Sequence, residues 1–512
     1  MSYNAEGFTE IRISVSRRHK GRMSRIRVVV DNRVRLLLSE LPREVRTLLQ
    51  RDFTHDNPQR EMLRRIGKPH WGEPAQIRTF VVDEGRDELS LPRGGLGRVR
   101  ARLEQAGLRR EIVDARERGD SSGAGMPDHR TKLWPFQEHA VDECCRKECG
   151  IFRAPTGSGK SECGFAVASR VKLATLVIVY NAGLFEQWER RAAKVMGLRG
   201  RDVGVIRGSK RELRPFTLAM QQTLTARGVD EEMARYFGVV IVDETHRAAA
   251  RTMYAAVDPF PARYRLGISA DHRRKDHKEF LTRDLFGDVI YDVKREDLIK
   301  SGHVLDVQVR VVPTDFEAPW YGMPTDERPD VEVDIVRLTS EMAEDVGRNE
   351  LALACVMAEQ PAEQVLVLSH RREHCLVLDQ RLVSLGVRTG VLIGGDDYRV
   401  EFRRSVRGLE RGEVRVGVGT LQAIGQGLDM PTVSVGVCAT PIASNRQVFN
   451  QVRGRFCRTA TGKASARLYY LWDRAVFGRR HLENIVQWNA SVIVRGDDGA
   501  WVDAREYLAA MG

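Results

Sequence analysis

The chain has 512 residues, of which 42% are hydrophobic and 30% are charged. This length predicts about two to four domains, because a single hydrophobic core does not extend over so long a chain. The longest apolar run, LATLVIVY at 173–180, is far shorter than the roughly 20 residues that cross a bilayer. The N-terminus lacks the basic and then apolar layout of a signal peptide. The composition therefore excludes a membrane protein and predicts a cytoplasmic one.

Basic residues outnumber acidic residues by 82 to 70, which gives a net charge of +12. They are most concentrated at 11–35, where nine Lys and Arg stand against one acid, Asp31. A solvated basic surface would explain this bias, but the bias also suits nucleic acid, without distinguishing DNA from RNA. We predict that residues 1–120 form a small basic domain that binds nucleic acid. Its removal is expected to weaken this binding and to leave intact any activity whose residues all lie beyond residue 130.

After a polar, Gly- and Ser-rich linker at 115–130, short Val- and Ile-rich runs alternate with helix-like stretches. This rhythm is typical of a parallel α/β sheet. It occurs twice and predicts α/β domains at 121–300 and 346–490. A Pro- and acid-rich segment predicts a linker or inserted loop at 301–345, and residues 491–512 are predicted to be a C-terminal tail. The runs are TLVIVY (175–180), DVGVIRG (202–208), FGVVIVD (237–243) and RLGISA (265–270), and then EQVLVLS (363–369), VRTGVLIG (387–394), VRVGVGT (414–420) and TVSVGVCAT (432–440).

A glycine-rich turn, APTGSGKS at 154–161, lies between an apolar stretch and a helical pattern. Its glycines allow backbone N–H groups to close around phosphate oxygens, where a Cβ would obstruct the approach. Lys160 can then reach the β and γ phosphates, and the Ser161 hydroxyl can bind Mg²⁺. A plain loop is the alternative, but the flanking stretches favour a nucleotide site. The predicted site comprises Pro155, Thr156, Gly157, Ser158, Gly159, Lys160 and Ser161.

A strand-like run, VVIVDETH at 239–246, ends in two adjacent acids. An isolated pair of this kind usually marks only a buried strand that meets a polar turn. Together with the glycine-rich turn, it predicts chemistry on a nucleoside triphosphate. Asp243 would hold Mg²⁺ through water, and Glu244 would orient and deprotonate the attacking water. We therefore predict that Lys160, Asp243 and Glu244 are catalytic.

Phosphoryl transfer also needs positive charge where the transition state is most negative. The segment QVFNQVRGRFCR at 447–458 supplies Arg455 and Arg458, about a helical turn apart and facing one side. Arginines on a solvated helix are common, so the motif alone is a weak signal. Its place near the end of the second α/β unit predicts that both arginines reach across a cleft and are catalytic.

The form and order of these motifs resemble those of superfamily 2 DExH helicases, nearest to the XPB-like and phage UvsW-like branch. The glycine-rich turn has the A-x-x-G-x-G-K-[ST] form of that superfamily, and 447–458 carries its Q-x-x-G-R-x-x-R pattern. The resemblance implies an α/β fold of two tandem RecA-like parallel-sheet domains after the small basic α+β domain. It also implies ATP and Mg²⁺ as cofactors and DNA as the partner, in duplex, forked or single-stranded form.

The resemblance implies further site residues. LWPFQEHAV at 133–141 is similar to the adenine-reading motif, which implies that Gln137 pairs with adenine and that Phe136 packs nearby. YNAGLFEQW at 180–188 is similar to the first strand-contacting motif, and VGTLQAIGQGLDMP at 418–431 to motif V. These similarities place Gly427 and Asp429 near the nucleotide, and Thr420 and Gln187 near the nucleic acid. The Q-x-x-G-R-x-x-R pattern also places Gln451 near the nucleotide.

Three positions depart from the family pattern. Trp134 stands in place of an arginine, Asp271 in place of the threonine of the S-A-T motif, and Cys457 in place of a glycine. None alters a predicted catalytic residue, so ATP hydrolysis should survive. Asp271 exchanges a hydroxyl donor for an acceptor, which bears on the coupling between hydrolysis and strand movement.

The leading hypothesis is an ATP-dependent DNA helicase or translocase that unwinds, anneals or branch-migrates DNA in a bacterial or phage-infected cell. An RNA helicase and the motor subunit of a DNA restriction or defence assembly are alternatives. An ATP-switched nucleic-acid clamp is a third alternative. Glu244 argues against the clamp, since a switch needs nucleotide binding but no activated water.

Overall fold

In a computed structural model, the protein folds into three packed units. We refer to residues 25–119 as the N-terminal domain, to 125–300 as the first lobe and to 307–511 as the second lobe. A short connector, 301–306, joins the lobes. The structure describes residues 25–65, 67, 69–119, 125–245, 250–270, 277–321, 335–395, 397–425, 430–442 and 446–511. Within these ranges, no helix is both long and apolar enough to cross a membrane.

The N-terminal domain combines a five-stranded sheet with helices and a two-stranded ribbon. Its strands are β1 (Ile26–Val30), β2 (Arg33–Leu37), β3 (Thr54–Asp56), β4 (Gln76–Arg78), β5 (Val81–Asp83), β6 (Glu88–Pro92) and β7 (Arg110–Asp114), and its helices are α1 (Arg43–Asp52), α2 (Pro58–Arg65) and α3 (Leu96–Gln105). The sheet order is β5-β6-β2-β1-β7, with β1 and β7 parallel and the other pairs antiparallel. Mixed pairing around one small core confirms the predicted α+β character.

Part of the basic segment at 11–35 is used inside the fold. Arg33 pairs with Asp258 of the first lobe at 2.7 Å, and Arg35 pairs with two acids of its own domain. Residues 11–24 lie outside the described residues. The charge count therefore overstates the cations that face solvent, because a count does not show which basic groups already meet acids.

The first lobe is built on an eight-stranded sheet. Its elements are α4 (Pro135–Lys147), β8 (Cys149–Arg153), α5 (Lys160–Val171), β9 (Thr175–Val179), α6 (Ala182–Val195), β10 (Val203–Arg207), β11 (Lys210–Glu212), β12 (Phe216–Met220), α7 (Gln221–Arg227), α8 (Glu231–Tyr236), β13 (Val239–Asp243), α9 (Ala250–Val257), β14 (Tyr264–Ser269), α10 (Glu279–Phe286), β15 (Val289–Asp292) and α11 (Arg295–Lys300).

The strand order of this sheet is β11-β10-β12-β9-β13-β14-β8-β15, and only the β10–β11 pair is antiparallel among the described strands. Strands β9 and β13 are buried along their whole length, which is why they read as unbroken apolar runs. The carboxyl ends of β8 and β13 meet at one edge, with β14 between them. The predicted parallel α/β unit is confirmed, and its sheet brings the glycine-rich turn and the two acids to the same edge.

The second lobe contains another eight-stranded sheet. Its elements are β16 (Val307–Thr314), α12 (Ile335–Glu344), α13 (Val346–Met357), β17 (Val365–Ser369), α14 (Arg372–Ser384), β18 (Thr389–Leu392), α15 (Arg399–Glu410), β19 (Val416–Thr420), α16 (Leu421–Gly425), β20 (Val435–Cys438), α17 (Arg446–Phe456), β21 (Ala466–Asp473), α18 (Arg474–Trp488), β22 (Val492–Arg495), β23 (Trp501–Asp503) and α19 (Ala504–Ala510). The order is β18-β19-β17-β20-β21-β16-β22-β23, parallel except for the β22–β23 pair.

Two segments differ from the sequence prediction. The expected linker at 301–345 contains β16, which pairs with β21 on one side and with β22 on the other, inside the second sheet. The expected tail at 491–512 contributes β22, β23 and α19, and Val494 at its start is fully buried. The sequence predicted a linker and a tail because the strands of these segments are followed by Pro, Gly and acidic residues, which dominate the local composition.

The N-terminal domain docks on the first lobe through a buried carboxylate. The side chain of Asp284, on α10, has no exposed surface. His55 Nε2 lies 3.0 Å from Asp284 Oδ2, Thr79 donates its hydroxyl to the same oxygen at 2.6 Å, and Arg98 forms an ion pair with Oδ1. Burial alone would raise the pKa of Asp284, but its bonds to His55, Arg98 and Thr79 hold the pKa below its ordinary value. The carboxylate thus stays charged inside the contact.

A second set of contacts joins the same two units through backbone groups. Arg93, which is buried, donates to the carbonyls of Ala262 and Arg263 in the first lobe. A Cβ at Gly94 would lie 2.3 Å from the nitrogen of Gly287, so only glycine fits there. The linker expected at 115–130 is also held at its start, because Glu117 exchanges backbone hydrogen bonds with residues 261–263. The N-terminal domain is therefore part of the structural support of the first lobe.

A buried imidazole gives the second lobe a predictable pH dependence. His374 is 1% exposed; its Nδ1 lies 2.9 Å from Ser369 Oγ and its Nε2 lies 2.7 Å from Asn349 Oδ1. Burial, and then the charge of Arg348, lowers the pKa of His374 to about 4. The unfolded chain therefore takes up this proton first, at its ordinary pKa of about 6.5. The contribution of His374 to the free energy of unfolding is therefore fully present above pH 6.5 and is lost as the pH falls toward 4.

Because of His374, we expect the free energy of unfolding to fall by up to about 3 kcal/mol between pH 6.5 and pH 4. In the His374→Gln variant, the loss between pH 7 and pH 4.5 should be smaller, as measured by urea unfolding at both pH values. The same change at His139, which is exposed on α4, should leave the pH dependence as in the unchanged protein. Equal pH dependence in both variants would show that the buried imidazole does not govern it.

Candidate active site in the cleft between the lobes

The glycine-rich turn follows β8 and leads directly into α5. Gly157 and Gly159 have positive φ angles of 91° and 76°, which glycine adopts without the steric cost that a side chain brings. The Lys160 ammonium is nearly buried and donates to the Pro155 carbonyl at 3.2 Å. The buried hydroxyl oxygen of Ser158 has no hydrogen-bond partner among the described residues. A buried polar group of this kind fits a site that a phosphate oxygen completes.

The two acids at the end of β13 have different environments. Asp243 is 5% exposed and accepts hydrogen bonds from Trp188 Nε1 at 2.8 Å and from the Glu244 backbone N–H at 2.9 Å. Burial, and then the charge of Glu244, raises the pKa of Asp243 to about 6. Glu244 has a left-handed backbone with φ 53°, an uncommon conformation for this residue type that is often found at functional sites. Trp188, which orients Asp243, was missed by the sequence reading.

The second lobe approaches the turn through α17. A Cβ at Gly454 would lie 2.7 Å from the Cβ of Thr156, so this glycine permits the contact between the lobes. Arg455 lies on α17, but Arg458 lies two residues beyond the end of the helix. The prediction that both arginines share one helix face is therefore wrong. A bridge between Arg458 and Val304 of the connector positions it instead.

These groups surround one cleft of about 390 Å³ between the lobes. The predicted residues that line it are Phe136, Gln137, Thr156, Gly157, Ser158, Gly159, Lys160, Ser161, Asp243, Glu244, Gln451, Arg455 and Arg458. Pro155 contributes the carbonyl that contacts Lys160. The residues that sequence assigned separately to a nucleotide loop, to an acid pair and to a distant arginine segment thus share a single cavity.

Gln187 also lines this cleft, although the sequence placed it near the nucleic acid. On α6, residues three and four apart share a face, and Gln187 lies on the same face as Leu184 and Arg191. Both of these also line the cleft, so α6 turns this face toward the glycine-rich turn. Gln187 therefore shares the cleft with the glycine-rich turn, and its contact with nucleic acid stays a prediction. Arg191, which no motif indicated, is a further cleft residue.

The amide of Gln137 is held by two hydrogen bonds in this structure. Its Oε1 accepts from the Trp134 backbone N–H at 2.9 Å, and its Nε2 donates to the Ser158 carbonyl at 2.9 Å. These bonds join the start of α4 to the glycine-rich turn. The adenine contact expected of Gln137 stays a prediction, and the second N–H of its amide remains the group that could make it.

The other predicted contacts lie elsewhere. Thr420, at the end of β19, is buried and its hydroxyl accepts the Ala423 backbone N–H at 3.3 Å. Gly427, Asp429 and Asp271 lie outside the described residues. The nucleic-acid contact of Thr420 and the roles of these three residues stay predictions.

Basic side chains from both lobes face one another across the cleft. Lys160 and Arg191 come from the first lobe, and Arg455 and Arg458 come from the second. Burial, and then repulsion from Arg191, lowers the pKa of Arg458 to about 10. An anion between these groups would relieve both effects, because it supplies opposite charge at a buried position. The geometry thus defines a two-lobed cleft suited to a polyphosphate, with acids at one side.

Comparison with known proteins identifies a related family. Residues 130–274 match the family described as type III restriction enzyme, res subunit. The chain is 28% identical over 369 residues to a DNA 3'-5' helicase XPB of Kineococcus radiotolerans, with 70% of this chain and 62% of that protein covered. It is 27% identical over 383 residues to the DNA 3'-5' helicase XPB of Mycobacterium tuberculosis, with 73% and 66% covered. The matches thus span somewhat less than two thirds of each relative.

The fold has a counterpart among solved structures. A fragment assigned as an HsdR subunit of a type I restriction enzyme from Vibrio vulnificus matches with a TM-score of 0.52 and 15% identity, covering 86% of this chain and 83% of the fragment. This likeness supports the two-lobed fold alone. The sequence matches support the predicted resemblance to the XPB-like branch of superfamily 2 helicases.

Proposed function

We propose that the protein is an ATP-dependent DNA helicase or translocase. The observation that carries this proposal is the single cleft in which the turn with Lys160, the acids Asp243 and Glu244, and the arginines Arg455 and Arg458 lie together. This set provides a phosphate cradle, a base for water and positive charge for the transition state. DNA is proposed as the substrate because the XPB relatives are named DNA helicases.

We propose ATP and Mg²⁺ as cofactors of this cleft. Ser161 and Asp243 supply the oxygen donors that suit Mg²⁺, a hard cation that binds carboxylates and keeps several waters. Bound Mg²⁺ would supply neutralising charge to the phosphates. In this protein, Lys160 would hold the β and γ phosphates, and Glu244 would accept the proton of the attacking water. The backbone N–H groups of the glycine-rich turn would orient the nucleotide.

The test is the rate of ATP hydrolysis without nucleic acid and with single-stranded, duplex and forked DNA or with RNA. We expect DNA to increase the rate, and forked DNA to do so at the lowest concentration. Equal stimulation by RNA would favour an RNA helicase. No stimulation by any nucleic acid would favour a clamp that uses ATP as a switch.

A second candidate is the motor of a restriction or defence assembly, favoured by the match to the res subunit family at 130–274. In this case we propose movement along duplex DNA without separation of its strands. Displacement of a third strand from a triplex, with no unwinding of a forked duplex, would support this candidate. Unwinding of the fork would support the helicase.

Arg455 and Arg458 are expected to act mainly on turnover. Changing either to alanine should lower kcat by about 100-fold or more while the affinity for ATP changes little, because their charge matters most in the transition state. Hydrolysis and binding of a fluorescent ATP analogue are the measurements. Arg446→Ala, an exposed change at the start of α17, is the matched control. A loss of binding equal to the loss of kcat would contradict the proposed role.

A further inference from the structure

A cluster of three rings lines the cleft, with the ring plane of His303 tilted by 35° against that of Trp134 and by 38° against that of Phe136. The imidazole of His303, in the connector, has its ring centroid 4.3 Å from that of Trp134 and 5.3 Å from that of Phe136. All three side chains line the cleft. Trp134 is 54% exposed, so part of its surface is open to a further flat ring. Aromatic faces of this kind stack on nucleobases regardless of base identity.

The connector is fixed to both lobes beside this ring cluster. The His303 backbone N–H donates to the Leu298 carbonyl at 2.9 Å, at the end of α11 in the first lobe. The next residue, Val304, is 2% exposed and forms the antiparallel bridge with Arg458. Leu305 then donates its N–H to the Cys457 carbonyl at 2.6 Å. The backbone contact that holds Arg458 is thus made by the residue directly after His303.

We propose that His303 is a positioning residue that stacks on the purine base of the bound nucleotide and, through Val304, holds Arg458 in the cleft. The inference rests on the proposed ATP-dependent function and adds a residue that no motif contains. It explains why the ring cluster and the arginine segment both contact one short connector. A nucleotide with a base engages the connector and the phosphate cradle together, whereas a polyphosphate without a base engages only the cradle.

The test compares His303→Ala with His303→Phe in the full chain. In the alanine variant, KM for ATP should rise about tenfold, the effect of losing one stacking ring, and kcat should fall because Arg458 is less well held. The inhibition constant of inorganic tripolyphosphate should not change, since the turn with Lys160 is intact. The phenylalanine variant keeps a ring and should keep KM near that of the unchanged protein. His139→Ala, an exposed histidine on α4, should change neither constant.

Two results would overturn the inference. An equal rise in KM for ATP and in the inhibition constant of tripolyphosphate would mean that His303 supports only the shape of the cleft. Unchanged kinetics in the alanine variant would mean that the ring is not used. If the unchanged protein does not hydrolyse ATP at all, the proposed function itself fails, and this inference fails with it.

Discussion

Replacing Glu244 with glutamine is expected to leave ATP bound while hydrolysis falls by about 100-fold or more. Glu244 lines the cleft with Lys160, and its backbone, with φ 53°, turns at the end of β13 where Asp243 is already held by Trp188. Glutamine has nearly the same shape but cannot accept the proton of the attacking water. Binding of a fluorescent ATP analogue and release of phosphate are the two measurements.

Lys160→Ala is expected to weaken both ATP binding and ATP hydrolysis, since it removes the charge that faces the β and γ phosphates. Glu232→Gln, a change on the exposed surface of α8 where the side chain is 74% exposed, is the matched control and should affect neither. Hydrolysis at the rate of the unchanged protein in the Glu244→Gln variant would show that another group activates the water. Retained binding in the Lys160→Ala variant would likewise contradict the assigned phosphate contact.

The parts of the fold that the sequence predicted are those with a strong local signal. Strands such as β9 and β13 are buried on both faces and therefore appear as unbroken Val- and Ile-rich runs. The glycine-rich turn and the acids follow such strands directly. Their shared edge then follows from the parallel order of the sheet. The resemblance to helicases linked these elements to the distant arginine segment.

What the sequence did not reveal depends on contacts between units. Asp284 and Arg93 look like ordinary surface residues in the sequence, yet both are buried where the N-terminal domain meets the first lobe. Gln187 was assigned by motif, whereas the rotation of α6 decides which way it faces. The position of Arg458 depends on where α17 ends and on a bridge to the connector. None of these features has a signature within a few residues of the chain.

Replacing Asp284 with asparagine is expected to lower the free energy of unfolding of the N-terminal contact by about 3 to 5 kcal/mol. Asparagine keeps the size of the side chain but removes the charge that Arg98 and His55 face. Arg98 would keep its bond to the Asp52 carbonyl at 3.1 Å but would lose its carboxylate partner in the contact. Urea unfolding followed by tryptophan fluorescence should show an earlier first transition.

The matched control is Asp288→Asn, two residues beyond α10. Its side chain is 77% exposed and pairs with Arg283 at 2.8 Å. A pair exposed to this degree contributes little to stability, so the unfolding curve should hardly move. Identical curves for the two variants would mean that the buried carboxylate does not support the contact.

Removal of residues 1–120 is expected to lower the basal ATPase as well as DNA binding, contrary to the expectation from the sequence. The truncated protein would expose Asp284 and leave Arg265 without its bond to the Asn32 carbonyl, so the lobe that carries Lys160 and Asp243 would be destabilised. Full basal hydrolysis after truncation would show that the docking contact is dispensable.

A gentler change separates phosphate binding from this structural effect. Arg25 lies just before β1 and Arg27 lies on it, and both side chains are exposed. Replacing each with alanine leaves the docking contact unchanged. If they contact phosphates, each change should reduce the slope of log affinity against log salt by about one, while basal hydrolysis stays the same. Salt titration of binding to a forked duplex is the measurement. An unchanged slope in both variants would assign the binding to the two lobes, or to basic residues outside the described part of the N-terminal domain.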